Sequence, residues 1–461
     1  DAGISGSLEA GLLSVGAGSR LTGLDARLGT GAAGDELTVA GNFAGGGTVV
    51  LDTALGEASR LSSDRLKIGG DVSGTPALLL NNTTPGLGKP TRGDGILLVE
   101  VNGQAASDAF VLASGPLNVG AFTYTLEHGG SADAEGNFYL VSSGLNGAGT
   151  LYRAAPSVIL PDFAKLPNLM ARQAGRMTLA SPGRSASGID ARAGPWVLAE
   201  ASLHETQSGD GDRYSSTSRS VKGGFDIEAD IPGRGRAVLG GYLRHASSQG
   251  LVQGRAGAAS VSAEAHCLGI TALLLPGEGS YLDLQGALML GSGELEAGGD
   301  TPTMSNVPFT VLAASAEVGH VFDLGRFGRL TPSAELQAGS VRAEAFTDDL
   351  GNRVDLGSNE TFSGAVSLAW QSGEPSGSDK PVLALELGYT HAFDADTTVR
   401  VGPASISASM PGDWLDARMG LDWAFGEASA LQLRAGYGVA LAGDAVENRR
   451  AGLSLQLSLG F

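Results

Sequence analysis

The sequence predicts an all-β protein: short irregular strands first, then a twelve-stranded antiparallel barrel that spans a membrane. Three observations carry this. The chain ends Arg450-Ala-Gly-Leu-Ser-Leu-Gln-Leu-Ser-Leu-Gly-Phe461, with Leu453, Leu455, Leu457, Leu459 and Phe461 on one parity and Ser454, Gln456, Ser458 and Gly460 on the other. Successive side chains of a strand point to opposite faces, so this segment has one apolar face, one small polar face and a terminal aromatic, as a closing barrel strand needs. The same alternation recurs from Pro195 onward. Glycine supplies 72 of 461 residues while charged residues make up only 17%, which suits many strands joined by tight turns and disfavours disorder.

Charge and composition exclude several functions. The net charge of −19 argues against nucleic acid, which needs a basic patch. Cys267 is the single cysteine, so neither an intramolecular disulfide nor a thiolate zinc site is available, and passage through an oxidising periplasm is compatible. No run of eighteen apolar residues occurs, so a membrane span must be a barrel. The chain starts at Asp1 with no basic or apolar leader, which reads as a processed form or fragment.

The first 150 residues are short apolar runs cut by Gly, Asn, Asp and Thr. Strands are expected at Leu8–Leu13, Glu36–Val39, Thr48–Thr53, Ala77–Leu80, Ile96–Val101, Ala109–Leu112, Phe122–Glu127 and Phe138–Ser142. Irregular strand–turn repeats fit a β-solenoid, with a β-sandwich as the alternative. The succession Leu37-Thr-Val39, Gly47-Thr-Val-Val-Leu51, Asp64-Arg-Leu-Lys-Ile68, Gly95-Ile-Leu-Leu-Val99, Gly120-Ala-Phe-Thr-Tyr-Thr-Leu126 and Asn137-Phe-Tyr-Leu-Val141 resembles the end of a pertactin-type autotransporter passenger. The resemblance covers about residues 35–143. It implies the last rungs of a right-handed β-solenoid with an autochaperone cap, displayed at the cell surface, and leaves host-surface ligands as partners of a longer passenger.

Residues 151–193 read as a linker. Leu, Met, Ala, Arg and Gln predominate from Pro167 to Ala180, which predicts a helix at about 167–180 with Pro167 as its first residue and Pro182-Gly183 as its stop. An extra kinked turn at 161–166 is also expected. Arg172 and Arg176 lie four apart on one face. The spacing alone fits a solvated basic face; the autotransporter resemblance implies a helix in the barrel's pore. The family's pattern of Arg followed closely by a carboxylate is absent at Arg153, which is followed by Ala154 and Ala155. The helix has only Asn168, not the Asn pair at which some relatives cleave.

Twelve strands are expected over residues 194–461: 195–205, 213–230, 235–249, 258–275, 279–291, 307–322, 329–342, 357–371, 381–394, 412–425, 429–440 and 447–461. Short connections at Pro232–Gly235, Pro276–Gly279, Asp323–Gly328 and Gly426–Ser429 alternate with long ones at Ser292–Asn306, Arg342–Leu356 and Ala395–Pro411. Short periplasmic turns and long outer loops are the outer-membrane arrangement. Parity puts Asp283, Glu335, Glu386, Asp416 and Asp422 on the lumen face, since a charge facing lipid is costly. Arg172 and Arg176 are therefore expected to pair with these carboxylates. Trp196, Trp370, Trp423, Phe425 and Phe461 are expected at the periplasmic girdle, and Phe393 and Trp414 at the outer one.

Gly194-Pro-Trp196, Val221-Lys-Gly-Gly-Phe-Asp226 and Val238-Leu-Gly-Gly-Tyr242 resemble the opening strands of an autotransporter β-domain. The resemblance implies an outer-membrane translocator that secretes or displays its own passenger. It also implies a monomer in contact with outer-membrane lipid, the assembly machinery and periplasmic chaperones, with Phe461 as part of the assembly signal. No catalytic, metal or cofactor motif is present. The strongest enzymatic alternative is His245-Ala-Ser247, similar to the His-x-Ser of outer-membrane phospholipase A. There the Ser is followed by Asn-Gly, whereas here Ser248-Gln249 intervene.

Overall fold

The computed structural model describes residues 2–3, 12–15, 20–22, 33–131, 136–156, 160–173, 193–207, 211–231, 235–254, 257–277, 279–297, 304–349, 351–373, 381–394, 396–425, 429–441 and 448–459. Two compact units result. The first holds Asp1–Thr150 with Thr347–Val354 and Arg400–Ile406; the second holds the remainder.

In the first unit, strands recur in three parallel stacks. One joins Ala2–Gly3, Arg20–Thr22, Thr48–Thr53, Ala77–Asn82 and Val111–Leu112; a second joins Leu12–Val15, Asn42–Gly45 and Val72–Ser73; a third joins Glu36–Val39, Arg65–Ile68 and Ile96–Val101. Alternate residues such as Leu37, Val39, Val49, Leu51, Leu66 and Ile68 are fully buried, so each stack turns one face inward. An antiparallel meander of Leu117–Val119, Phe122–His128 and Phe138–Leu145 continues the third stack through Ile96–Val101. Asp64 ties neighbouring corners by accepting hydrogen bonds from the backbone N–H groups of Gly34 (3.0 Å), Asp35 (3.0 Å) and Asp52 (2.9 Å). Burial raises its carboxyl above the usual range, and those three amides pull it back down. Tyr124 donates its hydroxyl to the Lys89 carbonyl at 2.7 Å, and burial pushes that phenol up to about 12.

Helix α1, Gly147–Ala154, was not foreseen. Two glycines in its first turn obscure it, but Asn146 caps it by accepting the Gly149 N–H at 2.8 Å. Two short helices follow: α2, Leu160–Ala164, and α3, Leu169–Gln173. The expected single helix from Pro167 is thus corrected. Asn168, not Pro167, begins α3, because its Oδ1 accepts the Ala171 N–H at 2.9 Å. Residues 174–180 of that expected helix, including Arg176, lie outside the described residues.

The second unit contains a closed barrel of twelve antiparallel strands. They are β1 Ala193–Gln207, β2 Arg213–Ile231, β3 Gly235–Gly254, β4 Gly257–Gly277, β5 Ser280–Ala297, β6 Met304–His320, β7 Arg329–Ala343, β8 Ser358–Gln371, β9 Val382–Ala392, β10 Asp413–Phe425, β11 Ser429–Ala440 and β12 Arg449–Ser458. Each pairs with the next, and β1 pairs with β12 from Trp196–Ser458 to Glu205–Arg449, closing the ring. The β5–β6 connection is shorter than expected. Both strands run on through the segment read as loop, to Ala297 and from Met304. The β9–β10 connection carries its own strands, Asp396–Val401 and Ala404–Ser409.

The outer surface is apolar. Leu243, Leu268, Ile270, Leu288, Leu387, Met419 and Leu453 are exposed, while Asp283, Glu386, Asp416 and Asp422, on the opposite parity, are buried inside. Phe322, Phe327 and Trp423 are exposed near the short-turn end, with Phe362, Phe393 and Tyr437 near the other. Two expected girdle residues are corrected: Trp196 and Trp414 are 3% and 6% exposed and face inward. The ring of Phe425 and all of Phe461 lie outside the described residues.

Glycine has a specific use in the barrel wall. A Cβ on Gly224, Gly269 or Gly319 would strike the rings of Trp196, Tyr242 and Tyr281 on neighbouring strands. These inward aromatics lie flat against the wall because glycine sits beneath them. Gly269→Leu is expected to displace Tyr242 and cost about 1–3 kcal/mol through overpacking. The loss would appear as a lower temperature at which the folded barrel's fast gel migration is lost; an unchanged temperature counts against this fit.

Candidate functional site: the lumen wall and the linker

The strand register builds an acidic row. Asp283 on β5 pairs directly with Glu317 on β6, and Glu317 pairs with Glu335 on β7. Like charges directly opposite one another repel, so donors must be supplied. The linker supplies two of them, from Arg172 and the Leu169 backbone, and barrel side chains supply the others. Arg172 on α3 meets Asp283, with Nη2 2.5 Å from Oδ1, and both side chains are almost wholly buried. The Leu169 backbone N–H donates to Glu317 at 2.7 Å, and the Tyr281 hydroxyl donates to the other oxygen of that carboxylate at 2.7 Å. Glu335 accepts from Gln337 Nε2 at 3.2 Å, and the same amide donates to the Leu166 carbonyl at 2.6 Å. Gln285 Nε2 donates to the Pro167 carbonyl at 2.8 Å. Asn168 both caps α3 and donates to Glu386 at 2.8 Å.

These contacts fall in order along the strands. Arg153 pairs with Asp212 in the β1–β2 loop. Asp162 accepts from Ser218, five residues into β2. Leu166 reaches Gln337, Leu169 reaches Glu317, and Arg172 reaches Asp283, three residues from the short-turn end of β5. Leu169 and Met170 pack there with Val238, Leu273, Leu275, Tyr281, Val321 and Ala369.

The remaining expected site residues have other partners. Glu386 also takes Arg418 at 2.9 Å, Asp422 takes Arg434 at 2.5 Å and Gln371, and Asp416 pairs with Arg450. These are cross-strand pairs within the barrel; of the two arginines expected to pair with lumen carboxylates, Arg172 meets Asp283, and Arg176 lies outside the described residues. Glu317 and Asn168 were missed. Parity could have found Glu317, which shares a face with the buried Phe309 and Val311. Asn168 needs the tertiary placement of Glu386.

The His245–Ser247 alternative gains little. His245 lies on the outward face, and its nearest ring is His266, directly opposite on β4 with centroids 4.9 Å apart. No hydrogen bond joins His245 to Ser247 among the described residues.

A closed twelve-stranded barrel with an apolar exterior and a charged interior is an outer-membrane protein. The chain belongs to the autotransporter family: the family model described as the autotransporter beta-domain matches residues 196–438, more than half of the chain. The autochaperone domain type 1 model matches residues 25–126. The chain is 42% identical over 101 residues to the probable autotransporter YfaL of Escherichia coli K12, a match covering 21% of this chain and 8% of that protein. It is 36% identical over 110 residues to the uncharacterized protein YdeU of the same organism, covering 24% of this chain and 22% of that protein. The matched stretch thus spans under a quarter of these curated relatives. Among solved structures, the transport unit of the autotransporter AIDA-I from Escherichia coli aligns with a TM-score of 0.51 at 15% identity, covering 64% of this chain and all of that one. At that identity the likeness shows the fold alone.

Proposed function

We propose that this chain is the translocator end of an autotransporter that carries its own N-terminal passenger to the cell surface, and that the described linker residues, 160–173, lie within the barrel lumen. The observation that carries this reading is the ordered descent of linker contacts, from Arg153 at Asp212 to Arg172 at Asp283. A helical segment tethered to the inner wall by its caps and carbonyls acts as a plug, and the barrel conducts freely only when it is released. The three parallel stacks are the last rungs of a right-handed β-solenoid, capped by the meander over Leu117–Leu145 and serving as a folding template for rungs upstream.

Replacing both Arg172 and Arg176 with Glu would place the linker's charges against the acidic row. The expected result is a severalfold rise in single-channel conductance in planar bilayers relative to the unsubstituted chain. Unchanged conductance would sink the plug. The assembly signal is assigned to Phe461 on the same family reading: its deletion should lower outer-membrane insertion, measured by fractionation, with the passenger segment still protease-resistant. Normal insertion of the shortened chain would contradict that role.

A further inference from the structure

The described linker residues leave part of the lumen open. A cavity of about 470 Å³ remains beside them, lined among others by Glu200, Ser218, Ser220, Lys222 and Arg244. Its charges are unevenly spread. Lys222 on β2 and Arg244 on β3 are direct cross-strand partners, both pointing inward. Among the described residues one carboxylate serves the two: Glu200 accepts Lys222 at 2.7 Å and the Ser220 hydroxyl at 3.1 Å. Arg244 is left over. Its Nε and Nη1 are buried without a hydrogen-bond partner, and no ion pair to it occurs among the described residues. Every other lumen arginine lining this cavity has a carboxylate: Arg418 has Glu386, Arg434 has Asp422 and Arg450 has Asp416.

A buried guanidinium beside a second cation, with a single carboxylate for the two, is a costly arrangement unless something mobile neutralises it. A cleft with an excess of one sign concentrates the opposite ion. Guanidinium groups present planar paired donors that match an oxyanion. We propose that Arg244 and Lys222 form a binding site for one small oxyanion in the barrel cavity. Arg244 supplies the free donors, Lys222 supplies the second charge, and the Ser218 and Ser220 hydroxyls line the approach. Glu200 anchors Lys222 and limits the site to one anion.

The test uses the full chain purified in detergent, with inorganic phosphate as the probe followed by its ³¹P linewidth. The expected result is saturable broadening with one site, displaced by sulfate but not by chloride at equal ionic strength. Arg244→Gln should weaken binding at least tenfold, and Arg244→Lys should retain part of it. Arg326→Gln, in an exposed turn, should leave binding unchanged. Gel migration of the unheated protein reports whether each variant is folded. Should Arg244→Gln not fold, Lys222→Met takes its place with the same expected loss. Non-saturable broadening of the unsubstituted chain overturns the site, as does phosphate affinity within twofold of it in a folded Arg244→Gln or Lys222→Met variant.

Discussion

Arg172→Ala is expected to destabilise the folded protein by about 3–5 kcal/mol, because it strands a buried carboxylate without its partner. Asp283 has no solvent exposure, and its other hydrogen bond among the described residues is from the Gln285 amide at 3.3 Å. The row geometry sharpens the effect. Asp283 sits directly opposite Glu317, which itself faces Glu335, so losing one cation leaves three adjacent carboxylates. The double variant Arg172→Ala with Asp283→Asn should recover much of the loss, since the amide removes the uncompensated charge. Urea unfolding of the detergent-solubilised protein measures both. Equal losses in the single and double variants would show that Arg172 contributes packing rather than charge pairing.

The second large effect lies on the opposite face of the wall. Leu455 is exposed on the lipid side and pairs with Ala199 and Leu433. Leu455→Arg is expected to cost about 2–4 kcal/mol, the penalty of a cation near the bilayer midplane. Ser454, one residue away, lines the lumen cavity, so Ser454→Arg should cost far less. Refolding yields into vesicles compare the two directly. Similar penalties at both positions would mean that β12 does not divide lipid from lumen.

The fold was legible wherever one parity is apolar and the other is not. Leu383, Leu385 and Leu387 against Glu386, and Leu415, Met419 and Leu421 against Asp416 and Asp422, fixed faces that the structure keeps. Parity also held the answer for Trp414, which alternates in step with the inward Asp416, and for Trp196, in step with Glu200. Reading those rings by distance from the strand end, rather than by face, put them in the girdle. The acidic row was less legible. Alternation within a strand gives a face but not a register, and only register brings Asp283, Glu317 and Glu335 side by side. The helix boundaries failed for a local reason: the carbonyls of Leu166 and Pro167 are taken by barrel glutamines, so the chain there answers to tertiary partners rather than to helix propensity.

The closing strand returns a further consequence through its length. Its lipid-facing leucines run from Leu453 to Leu459, roughly 20 Å of strand at about 3.3 Å per residue, and less along the bilayer normal once tilt is counted. On this strand the apolar row is shorter than the ~27–30 Å hydrocarbon core of ordinary bilayers. A thin membrane therefore suits the seam where β12 meets β1, whereas a thicker one would have to deform locally around it.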